Sequence, residues 1–418
     1  MSNEISLNFE LNKDCFLAGD QSQMVYLLIE AKPTNGQFGH SQAQLNLGLV
    51  MDRSASMKGA KIDNVKQSIF NIIDRMHEDD YLSLVAFNEE AEVIISSQPV
   101  LDKNNLKDLV DQLTHSGGTA ISSGIKEGLN EIRTNLSDNK INRMILLTDG
   151  QTYGDEDDCF QLASEAAAEG ILITALGVGD EWHEEVLDTI ANNNNGKSDY
   201  IASPDDIIPI FGSEMKTLQN IITQNNVLRL RFTPGAQPRK ICRVIPYISE
   251  MDYDSFTEQE IAVNIGELDK TEGQTLLAEI ILSPKQSGRF RISQAELSYD
   301  IPSENLFEEK VRQDITAEFS SDESTCKKVN PKVMNIVETV SAYDLQTRAL
   351  NQAANGDVTG ATQKLRAAAT RLLDMGEQDL AEAALSEAEN LEQRGTMSSA
   401  GTKKLHYETR KLTRHLDL

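Results

Sequence analysis

The run Leu45–Gly59, LNLGLVMDRSASMKG, constrains this chain's fold more than any other stretch. An apolar segment ends abruptly in Asp52, and hydroxyls follow at alternate positions, Ser54 and Ser56, before a glycine. A buried strand that empties into a polar loop and then a helix accounts for this order. In open parallel α/β sheets, ligands sit beyond the carboxyl ends of strands, so Asp52, Ser54 and Ser56 stand where chemistry is expected. Oxygen atoms at every second residue suit a small hard cation.

From Leu45 the pattern alternates. Strands are predicted at Leu45–Met51, Tyr81–Phe87, Glu92–Ser96, Arg143–Thr148 and Ile171–Gly177, with a short one near Tyr200. Helices are predicted at about Ala60–Met76, Asn104–Leu113, Ala120–Leu136, Asp155–Glu169, Glu184–Asn192 and Asp205–Ile222. This is the pattern of an α/β fold, a mostly parallel sheet with helices on both faces. Arg143–Gly150, RMILLTDG, is a second apolar strand ending in an acid, and Ser116–Ser123, SGGTAISS, is a glycine-rich turn leading into a helix.

Asp52-x-Ser54-x-Ser56, then Thr119, then Asp149, in this order and approximate spacing, resembles the metal-ion-dependent adhesion site of von Willebrand factor type A (VWA) domains. Ala175–Leu187 and Asp199–Phe211 also resemble that family's last strands and helices. The resemblance implies a doubly wound, Rossmann-like sheet and a metal ion held by Asp52, Ser54, Ser56, Thr119 and Asp149, directly or through water. It further implies an open coordination position that takes a Glu or Asp oxygen from a protein partner. Mg²⁺ or Mn²⁺ suits such ligands, Ca²⁺ is less favoured by so small a site, and the lack of His and Cys argues against zinc. Gly117 and Gly118 would let the Thr119 loop approach the ion. Taken alone, they also fit an ordinary turn with Thr119 capping the next helix.

Outside this region the pattern is different. Ile5, Leu7, Phe9 and Leu11 alternate with polar residues, and Met24–Ala31 follows the turn at Ala18-Gly19-Asp20, so the first segment reads as strands, with a loop around Pro33–Gly39. After Gln224, strands are predicted at Val227–Thr233, Ile241–Tyr247, Glu260–Ile265, Leu276–Leu282, Arg289–Tyr299 and Val311–Phe319. Two strands alone would have no core, so the economical arrangement joins both groups in one β-sandwich with the α/β domain inserted. The expected organisation is residues 1–42 as first sandwich strands, 43–223 as the VWA domain, 224–325 as the rest of the sandwich and 326–418 as a helical region.

In that helical region, three apolar faces are spaced for helices, around Val333–Val340, Ala361–Leu372 and Leu380–Leu391, punctuated by Asn355-Gly356-Asp357, Gly376 and Gly395. Ala354–Leu391 faintly resembles tetratricopeptide helix pairs. With at most one and a half repeats present, it reads as a helical cap on the neighbouring domain. Lys403, Lys404, Arg410, Lys411 and Arg414 make the end basic, expected to be a solvated face or to dock on the protein's own acidic surface, with a partner-binding tail as the alternative.

A net charge of −27 argues against nucleic acid and against an anionic membrane surface as partners. Cys15, Cys159, Cys242 and Cys326 show no metal or disulfide spacing, and no secretory or membrane-spanning segment is evident, so a cytoplasmic location is expected. Enzyme motifs fare poorly. Asp52 at a strand end superficially suggests an aspartyl-phosphate nucleophile, but the second acid of that chemistry is Ser54 here. Gly196-Lys197-Ser198 lacks the upstream glycine of a phosphate loop and reads as a helix-ending turn. The histidines form no HExxH, although His115 lies near the Thr119 loop, and Asp155–Asp158 reads as a solvated acidic helix start rather than a second cation site.

The expected function is therefore non-enzymatic: metal-dependent binding of a partner that presents an acidic residue, as an adaptor or assembly factor. Family resemblance alone adds an AAA-type ATPase system as a partner class. The alternatives are a Mg-dependent hydrolase or phosphotransferase and a structural or self-assembling protein, since an acidic chain could bind its own site in a second copy.

Overall fold

The computed structural model describes residues 4–34, 42–152, 154–194, 196–257 and 259–415. Most of the loop expected around Pro33–Gly39 lies outside them, as do His40 and Asp417. Two compact units emerge: His40–Ile222 with Ile301–Leu306, and Met1–Gly39 with Thr223–Asp300 and Phe307–Leu418.

In the α/β unit, six strands lie in the spatial order Ala91–Pro99, Tyr81–Phe87, Gln44–Asp52, Lys140–Thr148, Leu172–Val178 and Lys197–Ile201. All neighbours are parallel except the edge strand Ala91–Pro99, which forms an antiparallel pair with Tyr81–Phe87. Gln44–Asp52 is central, and its residues from Leu45 to Asp52 are all buried, as a strand covered on both faces requires. From it the chain winds outward to one side and then crosses to Lys140–Thr148 on the other. The loops after Asp52 and Thr148 therefore flank the point where strand order reverses.

One face of that strand, Leu45, Leu47, Leu49 and Met51, packs with Val65, Ile69 and Ile72 of helix Ala60–Arg75 and with Phe211 and Met215 of helix Ile207–Asn220. Each such side chain contributes about 1.5–3 kcal/mol on burial. On the other face, helix Ile121–Arg133 lies close to the sheet because Gly128 has no side chain: a Cβ there would come 2.4 Å from Val50 Cγ2. The last helix stops at Asn220, short of the expected Ile222, because Ile221 and Ile222 are buried at the start of strand Ile221–Phe232. In Gly196-Lys197-Ser198 the helix-ending turn holds for Gly196 alone, whose amide donates to the Ala191 carbonyl at 2.8 Å at the end of helix Glu184–Asn193. Lys197 opens an edge strand and pairs with Glu214 and with Asp199, and the Ser198 hydroxyl donates to Asp188 Oδ1 at 2.5 Å.

The second unit holds two sheets. One runs Ile5–Leu11, Gln23–Pro33, Gln274–Leu282, Ala236–Ile245, Ser249–Glu250; the other runs Asp254–Thr257, Glu260–Asp269, Ile221–Phe232, Gly288–Ile301, Leu306–Ser320, Cys15–Leu17. Gln23–Pro33 pairs with Gln274–Leu282 in antiparallel register, Leu27 opposite Ala278, so strands from before and after the α/β unit share a sheet. The sheets meet where Gln23–Pro33 packs on Glu260–Asp269 and where the Tyr299 hydroxyl donates to Glu4 Oε2 at 3.2 Å.

Four helices follow, Pro331–Ala354, Val358–Asp374, Gln378–Arg394 and Ser399–Thr409, the three with apolar faces and a last one that carries the basic residues Lys403 and Lys404. Asn330, Asp357 and Ser398 cap three of them by accepting from backbone amides. Val333, Ile336, Val340, Leu365 and Leu372 form one core with Leu28, Cys242, Val244 and Leu277, so the helices cover a face of the five-stranded sheet. The basic end docks on the protein itself, with Lys404 left exposed. Lys403 is buried, Arg410 carbonyl accepts from the Ile248 amide at 2.8 Å, and the Thr413 hydroxyl donates to the Val244 carbonyl. Among the described residues, no helix is long and apolar enough to cross a membrane. All four cysteines are buried free thiols.

Candidate metal centre at the sheet switch point

Four of the five expected residues meet directly. Asp52 ends its strand fully buried; its Oδ1 accepts from the Ser54 amide at 2.7 Å and its Oδ2 from the Thr148 hydroxyl at 2.6 Å. Asp149 Oδ1 accepts from the Ser56 hydroxyl at 2.7 Å and from Ser54 at 3.5 Å, and the two serine oxygens lie 3.0 Å apart. Ser54 sits at the N-cap of a short 3-10 turn, Ala55–Met57, and Ser56 lies within it, and both hydroxyls reach Asp149 from there. Burial pushes the Asp52 carboxyl up, against the Thr148 and Ser54 hydrogen bonds that lower it, and the charge of Asp149 adds to the rise.

Thr119 arrives from a separate loop. A Cβ added to Gly150 would lie 2.8 Å from Thr119 Oγ1, which puts that hydroxyl beside the Asp149 segment. The loop is tied down by the Ser116 amide to the Arg53 carbonyl at 2.8 Å and the Ala55 amide to the Gly117 carbonyl at 3.0 Å. Gly117, at φ 79°, leaves room for the Glu89 carboxylate, whose Oε1 accepts from the Gly118 amide at 2.7 Å.

Thr119 does not cap helix Ile121–Arg133. Its first amides go elsewhere: Ile121 donates to Thr152 Oγ1 at 3.2 Å and Ser122 to Asp155 Oδ2 at 2.9 Å, while Thr152 also donates to Asp155. Asp155 is thus a partly buried brace between loops at the start of helix Glu156–Ala168, whose exposed Asp157 and Asp158 are the solvated acids expected there. Burial raises its carboxyl, but the Ser122 and Thr152 donors outweigh that and hold it below the usual carboxylate range. His115 makes no hydrogen bond or ion pair with the cluster.

Four residues here carry no signal of their own in the sequence: Lys61, whose ammonium pairs with Asp149 Oδ2, together with Thr148, Glu89 and Thr152. Only the adjacency of Thr148 to Asp149 at the strand end could have flagged one of them. Among the described residues, no group of three or more His, Cys, Asp or Glu could hold a metal. The available donors are two carboxylates and three hydroxyls, all hard oxygens, which fit a dication of the Mg²⁺ or Mn²⁺ kind.

A doubly wound sheet with this cluster at its switch point defines a VWA domain, and the von Willebrand factor type A domain model matches residues 46–209. A second model, the Sll0103-like, C-terminal alpha-helical domain, matches residues 331–415. The chain is 30% identical over 332 residues, 78% of each protein, to the uncharacterized protein sll0103 of Synechocystis sp., and it belongs to that VWA-containing family. Among solved structures it is similar to a von Willebrand factor type A protein from Catenulispora acidiphila, with TM-score 0.77, 17% identity and coverage of 97% and 96% of the two chains. It is also similar to the ArnB paralog VWA2 from Sulfolobus acidocaldarius, with TM-score 0.60, 15% identity and coverage of 98% and 99%.

Proposed function

We propose that this chain is a metal-dependent protein-binding module, an adaptor or assembly factor, in which Asp52, Ser54, Ser56, Thr119 and Asp149 hold Mg²⁺ or Mn²⁺. VWA domains often mediate metal-dependent protein–protein interactions. The observation that carries the reading is the convergence of the Ser54 and Ser56 hydroxyls on Asp149 Oδ1 at the switch point, with Ser56 exposed to solvent. When bound, the ion supplies an electrophilic pole for an acidic side chain of the partner. Ser54, Ser56 and Thr119 would hold it through their hydroxyl oxygens, and buried Asp52 anchors the loop through the Ser54 amide.

Binding is favoured over phosphoryl transfer because Asp52 is fully buried and tied to the Ser54 amide and the Thr148 hydroxyl, so that it would hold the ion from beneath, directly or through water, without meeting a phosphoryl substrate. A nucleophile needs an accessible lone pair. The test is capture of partners from the source organism's lysate by tagged protein in Mg²⁺ and in EDTA, for wild type, Thr119→Val and Ser56→Ala. A protein retained only by the wild type and only with Mg²⁺ supports the reading; retention that is indifferent to EDTA and to both substitutions refutes it.

A further inference from the structure

Lys61 is the second residue of helix Ala60–Arg75, and its ammonium pairs with Asp149 Oδ2, the carboxylate oxygen that the serine hydroxyls leave open. The Asp149 side chain is fully shielded, and that of Lys61 is 27% exposed. Among the described residues no other cation pairs with Asp52 or Asp149; the neighbouring Arg53 pairs outward with Glu92 at 2.7 Å.

Nothing local favours a lysine there. The first turn of a helix carries partial positive charge and prefers acids, and this helix begins at Gly59 with no side-chain cap and with Asp63 as the acid of its first turn, so a lysine at its second position is unfavourable. A cation that works against its own helix and is held by a tertiary ion pair is the kind of local conflict that marks functional positions.

The charge balance says what it does. Two carboxylates and one ammonium leave the cluster with one net negative charge, and a dication turns that into one net positive charge. Without Lys61 the same dication would leave the cluster neutral. We propose that Lys61 is a tethered counter-cation that opposes ion entry, supports the ion-free cluster, and gives the loaded site the surplus charge that one incoming carboxylate neutralises. Lys61 thereby links ion and acidic-ligand binding and selects anions over neutral ligands. This rests on the metal-dependent binding reading above.

The test uses the full chain with Lys61→Met, which keeps the stem but not the charge, Lys61→Gln as a second neutral variant, and Lys61→Arg as a charge-keeping control. Mn²⁺ affinity is read by electron paramagnetic resonance. Ligand affinity is read by Mn²⁺ broadening of the proton signals of a capped tripeptide carrying a single glutamate, with its glutamine analogue alongside. The ion-free melting temperature is the third readout. The neutral variants are expected to bind Mn²⁺ on the order of tenfold tighter and the glutamate peptide on the order of tenfold more weakly, with the glutamine peptide unaffected. They should melt lower without the ion and gain more from it, while Lys61→Arg stays near wild type. A merely structural lysine would weaken both affinities together, and that result, or Mn²⁺ affinity unchanged in both neutral variants, overturns the role of Lys61. Wild-type protein that binds no Mn²⁺ overturns the metal reading and this inference with it.

Discussion

Replacing Asp155 by Ala removes the carboxylate that accepts from the Ser122 amide at 2.9 Å and from the Thr152 hydroxyl. The first of these caps helix Ile121–Arg133, worth about 1 kcal/mol. The second leaves the Thr152 hydroxyl, buried at 1% exposure, without its acceptor, worth roughly a further 1–3 kcal/mol. A total of about 2–4 kcal/mol corresponds to a fall of about 4–16 °C in the melting of a unit this size. Differential scanning calorimetry of wild type, Asp155→Ala and the exposed neighbour Asp158→Ala reads it. Asp158 lies in the same acidic run, so its loss touches only the helix dipole and should cost less than about 1 kcal/mol. Equal losses for the two variants would refute the bracing role and restore a plain acidic helix start. The pH dependence has a definite sign. The folded carboxyl lies below its unfolded value of about 3.9, so its contribution is complete above that pH and lost as pH falls through the folded value. The stability gap between wild type and Asp155→Asn should hold steady from neutral pH down to about 5 and close in stronger acid.

Two other substitutions test close approaches. Gly128→Ala drives a methyl to 2.4 Å from Val50 Cγ2 and 3.0 Å from Met144 Cε, so chemical denaturation should show a loss of about 1–3 kcal/mol; an unchanged midpoint would mean the helix stands further from the sheet. Gly150→Ala places a methyl 2.8 Å from Thr119 Oγ1 and should weaken Mn²⁺ binding about tenfold or more with little change in melting, and unaltered Mn²⁺ affinity would remove Thr119 from the ligand set.

Some of this was legible in the order of residues. Gln44–Asp52 and Lys140–Thr148 show themselves as strands because both are apolar almost throughout, and an acid at the end of such a run can only face a loop. Other assignments failed where local pattern was ambiguous. Ile221 and Ile222 extend a helical apolar face as well as they begin a strand, and Ile221 still packs in the α/β core although the backbone has already turned extended. Asp155 looked solvated because its neighbours Asp157 and Asp158 are, yet a segment far along the chain supplies Ser122 as its donor.

The sequence by itself determined the α/β alternation, the strand ends that carry Asp52 and Asp149, and the hydroxyl spacing of Ser54 and Ser56. Each depends on side-chain periodicity along a single segment. Tertiary structure alone decided that Gln23–Pro33 pairs with Gln274–Leu282, that Thr119 faces Gly150, and that Lys61 neutralises Asp149. Such pairings join segments remote in sequence, and only the folded sheet brings their charges and hydroxyls within the few ångströms at which hydrogen bonds and ion pairs act.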